Sequence, residues 1–163
     1  MQADMCRFCF GWRQIGIEST LTWPIDRKKM NGLHLIADLN RCRCPQQFLI
    51  DAADLELFCV SACTQNGLTV VGRFFHQFAD AAGHPAGVTG AVVLAESHLT
   101  LHTWPEIKGV SLDVYVCNFS ADNSQVARRL FARLIEVFQP ETRTVNELER
   151  GRPGSGAASS DLA

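Results

Sequence analysis

The chain has 163 residues, 47% of them apolar and 20% charged, with a formal net charge of -2. That balance suits one compact domain and offers no basic footprint for nucleic acid or for a polybasic membrane contact. No apolar run reaches the roughly 18 residues that a bilayer crossing requires and no ordered secretory signal opens the chain, so a cytoplasmic protein with small-molecule or protein partners is expected.

Seven cysteines, an odd number without a regular framework, are expected to be thiols in a reducing compartment. Residues 1–29 show no sustained period and read as an N-terminal extension, with the domain running from Met30 to Arg150. Leu33, Leu35, Ala37 and Leu39 alternate with His34, Ile36 and Asp38, the pattern of a strand with one buried face. After Pro45, residues Phe48, Ala52, Leu55, Cys59 and Ala62 recur at helical spacing, and Asn66 with Gly67 supplies a stop, which predicts one helix from about Pro45 to Gln65.

Leu68 to Phe78 is rich in β-branched and aromatic residues, and the polar run from Ala79 to Gly87 predicts a loop. Val88 to Ala95, Leu99 to Trp104 and Val110 to Cys117 predict three strands paired consecutively and antiparallel. Ser120 or Asp122 is placed to cap a second helix with a stripe of Val126, Leu130, Leu134 and Phe138, leaving Arg128, Arg129 and Arg133 to solvent. A last strand is expected from Thr142 to Leu148, and the Gly, Ser and Ala of 151–163 form a disordered tail. The sum is an α+β fold, a two-layer sandwich of a mostly antiparallel sheet with two helices on one face, in the order βαβββαβ.

The chemistry concentrates in ESHLTLHTWPE, Glu96 to Glu106, and in GVTG, Gly87 to Gly90. Decarboxylating an α-amino acid needs an electron sink conjugated to the amino nitrogen, which no ordinary side chain provides. Pyridoxal phosphate needs an anchoring lysine, and the chain has only Lys28, Lys29 and Lys108. A pyruvoyl group is made from the backbone: a serine hydroxyl attacks the preceding carbonyl, the ester eliminates, and the dehydroalanine hydrolyses to a ketone able to form a Schiff base. That route requires the serine, a donor for the oxyanion and a base for the α-proton, roles that Ser97, Thr89 and His102 can fill.

Through GLHLIADL, FHQF, GVTG, ESHLTLHTWPE and DVYVC, the stretch from Met30 to Gly151 resembles the short bacterial and archaeal pyruvoyl-dependent S-adenosylmethionine decarboxylases. The resemblance implies scission between Glu96 and Ser97, with Ser97 becoming the covalent pyruvoyl group and no added organic cofactor. It implies that Thr89 and His102 serve self-processing and that Cys117 gives the proton to the decarboxylated α-carbon. It further implies that Phe78 and His102 sandwich the adenine, that Glu106 holds the ribose hydroxyls, and that cleaved protomers form a homodimer with sites near the interface. The product would be the aminopropyl donor for spermidine synthesis. Two features depart from the family pattern and bear on substrate fit: Asn118 and Phe119 follow the cysteine where many members have glycine, and the loop from Ala79 to Ala86 is longer than in the shortest members.

Strict alternation puts Ser97 and His102 on opposite faces of a strand. Either the backbone bends near residues 96–98 or the base acts once cleavage has freed Ser97. Related decarboxylases of arginine or ornithine, and a non-catalytic regulatory homologue, share the fold-level pattern. Taken singly, Cys117 and Phe78 also suit a core, Glu106 a solvated strand end, and His34, His76 and His98 ordinary strand positions. Cys6 with Cys9 and Cys42 with Cys44 invite a zinc reading, but no histidine pair completes a ligand pattern, and no metal site is expected.

Overall fold

A computed structural model describes residues 31–119 and 121–151, so the expected N-terminal extension, the Ser120 cap, Cys6 with Cys9, and the tail beyond Gly151 lie outside the described residues. The elements run β1 (Gly32–Asn40), α1 (Gln47–Ile50), α2 (Ala52–Gln65), β2 (Val70–Ala79), β3 (Pro85–Leu94), β4 (Ser97–Trp104), β5 (Gly109–Cys117), α3 (Ser124–Phe138) and β6 (Thr142–Arg150). Six strands form one sheet in the order β2-β3-β4-β5-β1-β6, every pair antiparallel. The two-layer α+β architecture is as expected. The strand count is not, since four strands rather than three lie between the helical segments. Val70–Ala79 is a full edge strand with no fully buried residue on either face, which blurs its alternation in sequence.

The expected helix from Pro45 to Gln65 is interrupted at Asp51, whose backbone is extended (φ -120°, ψ 109°). Its carboxylate accepts hydrogen bonds from the backbone N–H groups of Ala53 and Asp54, at 2.9 and 3.0 Å, and so caps α2. Apolar spacing cannot register this break, because the cap is a local competition for orphan N–H groups rather than a change of period. The expected loop from Ala79 to Gly87 shrinks in the same way. Asp80 accepts from the N–H groups of Ala82 and His84, closing a tight turn that lets β3 start at Pro85, where a strand loses no ladder bond to proline. For α3, Asp122 accepts from the N–H of Ser124, and the helix itself begins one residue after Asn123.

One face of the sheet packs against the helices. Leu35 and Leu39 of β1, Val92 of β3, Leu99 and Leu101 of β4 and Val114 of β5 meet Leu55, Cys59, Leu130, Leu134 and Phe138, all 3% exposed or less. Truncating any of the buried leucines to alanine is expected to cost about 2–5 kcal/mol through lost transfer energy and a residual cavity. On α3 the buried stripe includes Phe131 and Ile135 beyond the predicted positions, and Val126 is only half-buried. Arg128 leaves that stripe to pair with Glu147 of β6, which ties the edge strand to the helix layer. Gly90, in GVTG, allows this packing: a Cβ there would lie 2.2 Å from the ring of Phe75. The alternate residues, among them His34, Asp113 and Tyr115, point to the opposite face, which no other element covers among the described residues.

Candidate active site

A two-residue turn, Ala95 and Glu96, joins β3 to β4, with Leu94 and Ser97 as the last facing pair. Antiparallel pairing then sets Ser97 opposite Val116 of β5. This register brings the backbone N–H of Cys117 to the carbonyl oxygen of Glu96, at 3.2 Å, and to the hydroxyl oxygen of Ser97, also at 3.2 Å. One donor thus spans the electrophile and the nucleophile on either side of a single peptide bond. A donor fixed at a carbonyl oxygen stabilises the negative charge that nucleophilic attack would place there. Beside it lies a cavity lined by Glu96, Tyr115, Cys117, Phe119 and Arg150.

A second cluster forms at the far end of β4. Thr89 and His102 are facing residues of β3 and β4, and the Thr89 Oγ1 lies 2.8 Å from His102 Nδ1. An adjoining cavity is lined by Phe78, Gly87, His102, Trp104 and Glu106, so an aromatic face, an imidazole and a carboxylate border one space. Thr103 anchors this end. It is 4% exposed; its hydroxyl donates to the carbonyl of Leu49, at 2.7 Å, and accepts from the N–H of Val88, at 2.7 Å. The signal for Thr103 was present in the sequence as a polar residue in phase with Leu99 and Leu101, but its partners on α1 and β3 were not.

The structure therefore groups Ser97 with Glu96 and Cys117, and Thr89 with His102, Phe78 and Glu106. It does not bring the two groups together. The chain turns at Ala95 and Glu96, but β4 then continues unbroken from Ser97 to Trp104, with no bend between Ser97 and His102. Five residues of strand separate Ser97 from His102 by roughly 16 Å, and the two side chains lie on opposite faces. Sequence reasoning also missed the Cys117 N–H, a backbone group whose placement depends on register alone.

A further set occupies the uncovered face beside Ser97. His34 Nε2 lies 2.8 Å from Asp113 Oδ2, and His98 Nε2 lies 3.2 Å from the other oxygen but out of line for a good hydrogen bond. These three are the side-chain group with metal-ligand spacing among the described residues. Arg150, which can only donate, sits 3.5 Å from His34 Nδ1, a contact that suits the tautomer with the proton on Nε2, facing Asp113. Cys42 and Cys44 are thiols; burial, then the neighbouring Cys44, pushes Cys42 up to about 11, and burial also raises Cys44.

By architecture the chain is a two-layer α+β protein whose six-stranded antiparallel sheet leaves one face uncovered among the described residues. The family described as S-adenosylmethionine decarboxylase matches residues 33–151. An S-adenosylmethionine decarboxylase proenzyme of Fervidobacterium nodosum is 35% identical over 124 residues, 76% of this chain and 82% of that protein. One from Thermodesulfovibrio yellowstonii is 32% identical over 120 residues, 74% of this chain and 81% of that protein. The crystal structure of the adenosylmethionine decarboxylase of Aquifex aeolicus superposes with a TM-score of 0.65 at 29% identity, covering 79% of this chain and 98% of that one. The chain belongs to the S-adenosylmethionine decarboxylase family.

Proposed function

We propose that this chain is a proenzyme that cleaves itself between Glu96 and Ser97 and then decarboxylates S-adenosylmethionine to the aminopropyl donor used for spermidine. The observation that carries the reading is the Cys117 N–H shared by the Glu96 carbonyl and the Ser97 hydroxyl. A pyruvoyl group fits this position: the carbonyl to be attacked is already polarised, and the attacking oxygen adjoins it in the chain. The ketone at residue 97 supplies the electron sink that side chains lack. Cys117 holds a transferable proton on Sγ beside it, while Phe78 and His102 hold the adenine and Glu106 the ribose hydroxyls. Cation attraction to the Phe78 face also favours the sulfonium of the substrate.

The separation of the two clusters supports a homodimer in which Thr89 and His102 of one copy serve Ser97 of the other. Facing sheets would also cover Phe74, Phe78, Val93 and Trp104, each 46% exposed or more and carried on β2, β3 and β4. No helix among the described residues is long and apolar enough to cross a membrane, and the thiols suit the cytoplasm.

Intact-mass measurement tests the proposal. Two fragments are expected, the smaller beginning at a pyruvoyl in place of Ser97, and Ser97→Ala should give one uncut chain. Turnover of S-adenosylmethionine, arginine and ornithine should occur with the first alone, since the free amino acids offer nothing to the Phe78–Glu106 cavity. A folded, uncut wild-type chain that still releases carbon dioxide would refute the scheme, and one that is uncut and inactive would make it a binding homologue.

A further inference from the structure

Tyr115 and Cys117 lie two residues apart on β5, so both side chains project from the uncovered face, and both line the cavity beside Glu96. The residue facing Cys117 in the register is Gly32 of β1. A Cβ at Gly32 would lie 2.8 Å from Cε2 of Tyr115 and 2.9 Å from its hydroxyl. The glycine therefore leaves the space in which the phenol lies flat toward the Cys117 end of the strand pair. Three neighbours fence the ring in that orientation. His34 and His98 meet it at centroid distances of 5.7 and 5.6 Å, and the Arg150 guanidinium stands 5.0 Å from its centroid.

We propose that the Tyr115 hydroxyl is a positioning donor that holds and stabilises the Cys117 side chain in its thiolate form. The inference deepens the reading of Cys117 as proton donor and rests on it. When the Cys117 thiol gives its proton to carbon, the S–H electron pair stays on Sγ. The Tyr115 O–H remains intact and donates a hydrogen bond to that sulfur, and solvent later returns the proton. A hydrogen bond to a charged acceptor is stronger than one to a neutral group, so the donor favours release. Burial first, then the neighbouring Cys117, hold the Tyr115 phenol above its ordinary value, with Arg150 opposing; in this structure the Cys117 thiol itself points to the carbonyl oxygen of Asn31, at 3.8 Å.

Two readouts independent of turnover test this. Alkylation of Cys117, followed by peptide mass spectrometry against pH, should show a midpoint about one pH unit higher in Tyr115→Phe than in wild type, and a rate near pH 7 about tenfold lower. Phenylalanine retains the ring and its neighbours, so chain scission and folding should be unaffected. Tyr115 is also the sole tyrosine of the chain, which isolates its ultraviolet ionisation signal. Cys117→Ala should move that ionisation down toward the ordinary phenol range. An alkylation midpoint unmoved by Tyr115→Phe, or a phenol titration unmoved by Cys117→Ala, overturns the proposal. If wild type and Tyr115→Phe both fail to release carbon dioxide while the midpoints move as expected, the decarboxylase reading falls and the coupling stands.

Discussion

The hydroxyl of Thr89 lies 2.8 Å from Nδ1 of His102, yet this pair stands roughly 16 Å along β4 from the serine it is proposed to serve. Within one chain the base cannot reach the Ser97 α-proton, because general acid–base transfer needs hydrogen-bond contact or a single bridging water. The proposed homodimer would instead let the base of one copy serve Ser97 of the other.

Complementation follows directly. Ser97→Ala and His102→Ala should each yield no pyruvoyl-ended fragment when produced alone. Produced together, they should form mixed pairs in which an intact Ser97 meets an intact His102. Fragments carrying the pyruvoyl should then appear, and mass should assign all of them to the His102→Ala chain. If mixing restores nothing, processing does not occur between copies.

Glu106 borders the cavity shared with Phe78 and His102 but is remote from the Glu96–Ser97 peptide. Replacing it with Gln leaves a neutral amide where a charged acceptor would bind two hydroxyls, so KM should rise about tenfold, with scission unchanged. Steady-state kinetics on the cleaved protein, alongside its mass, separates this from a processing defect.

Thr103→Val removes the hydroxyl that joins Leu49 to Val88 inside the core. Two buried backbone groups then lose a partner, and stability to urea should fall by about 1–3 kcal/mol. Because Thr103 adjoins His102, processing should also slow, read as a longer half-time for the appearance of two fragments.

Alkaline pH should destabilise the fold through its buried thiols. Burial and the nearby Cys44 push Cys42 from 9.0 to about 11, and burial alone pushes Cys63 from 9.0 to about 11. In the unfolded chain these thiols ionise first, so it binds fewer protons than the folded protein between those values. Their stabilising contribution is complete below about pH 9 and is lost as pH rises through about 11. Thermal midpoints measured across that window should fall, and by less in Cys42→Ala relative to its own value at pH 8.

The sequence alone determined the pieces whose signal is local: the alternation of Leu33 to Leu39, the stripe on α3, the antiparallel run through β3, β4 and β5, and the family motif from Glu96 to Glu106. Each depends on side-chain period or on reactive residues adjacent in the chain, and both survive without knowledge of neighbours. Tertiary structure decided what depends on register and caps. Asp51 divides a helix whose period is continuous, Gly32 comes to face Cys117, and the N–H of Cys117 reaches across to Glu96 and Ser97. It also set His102 away from Ser97. A strand fixes the direction and spacing of its own side chains, but only pairing with other strands fixes what those side chains meet.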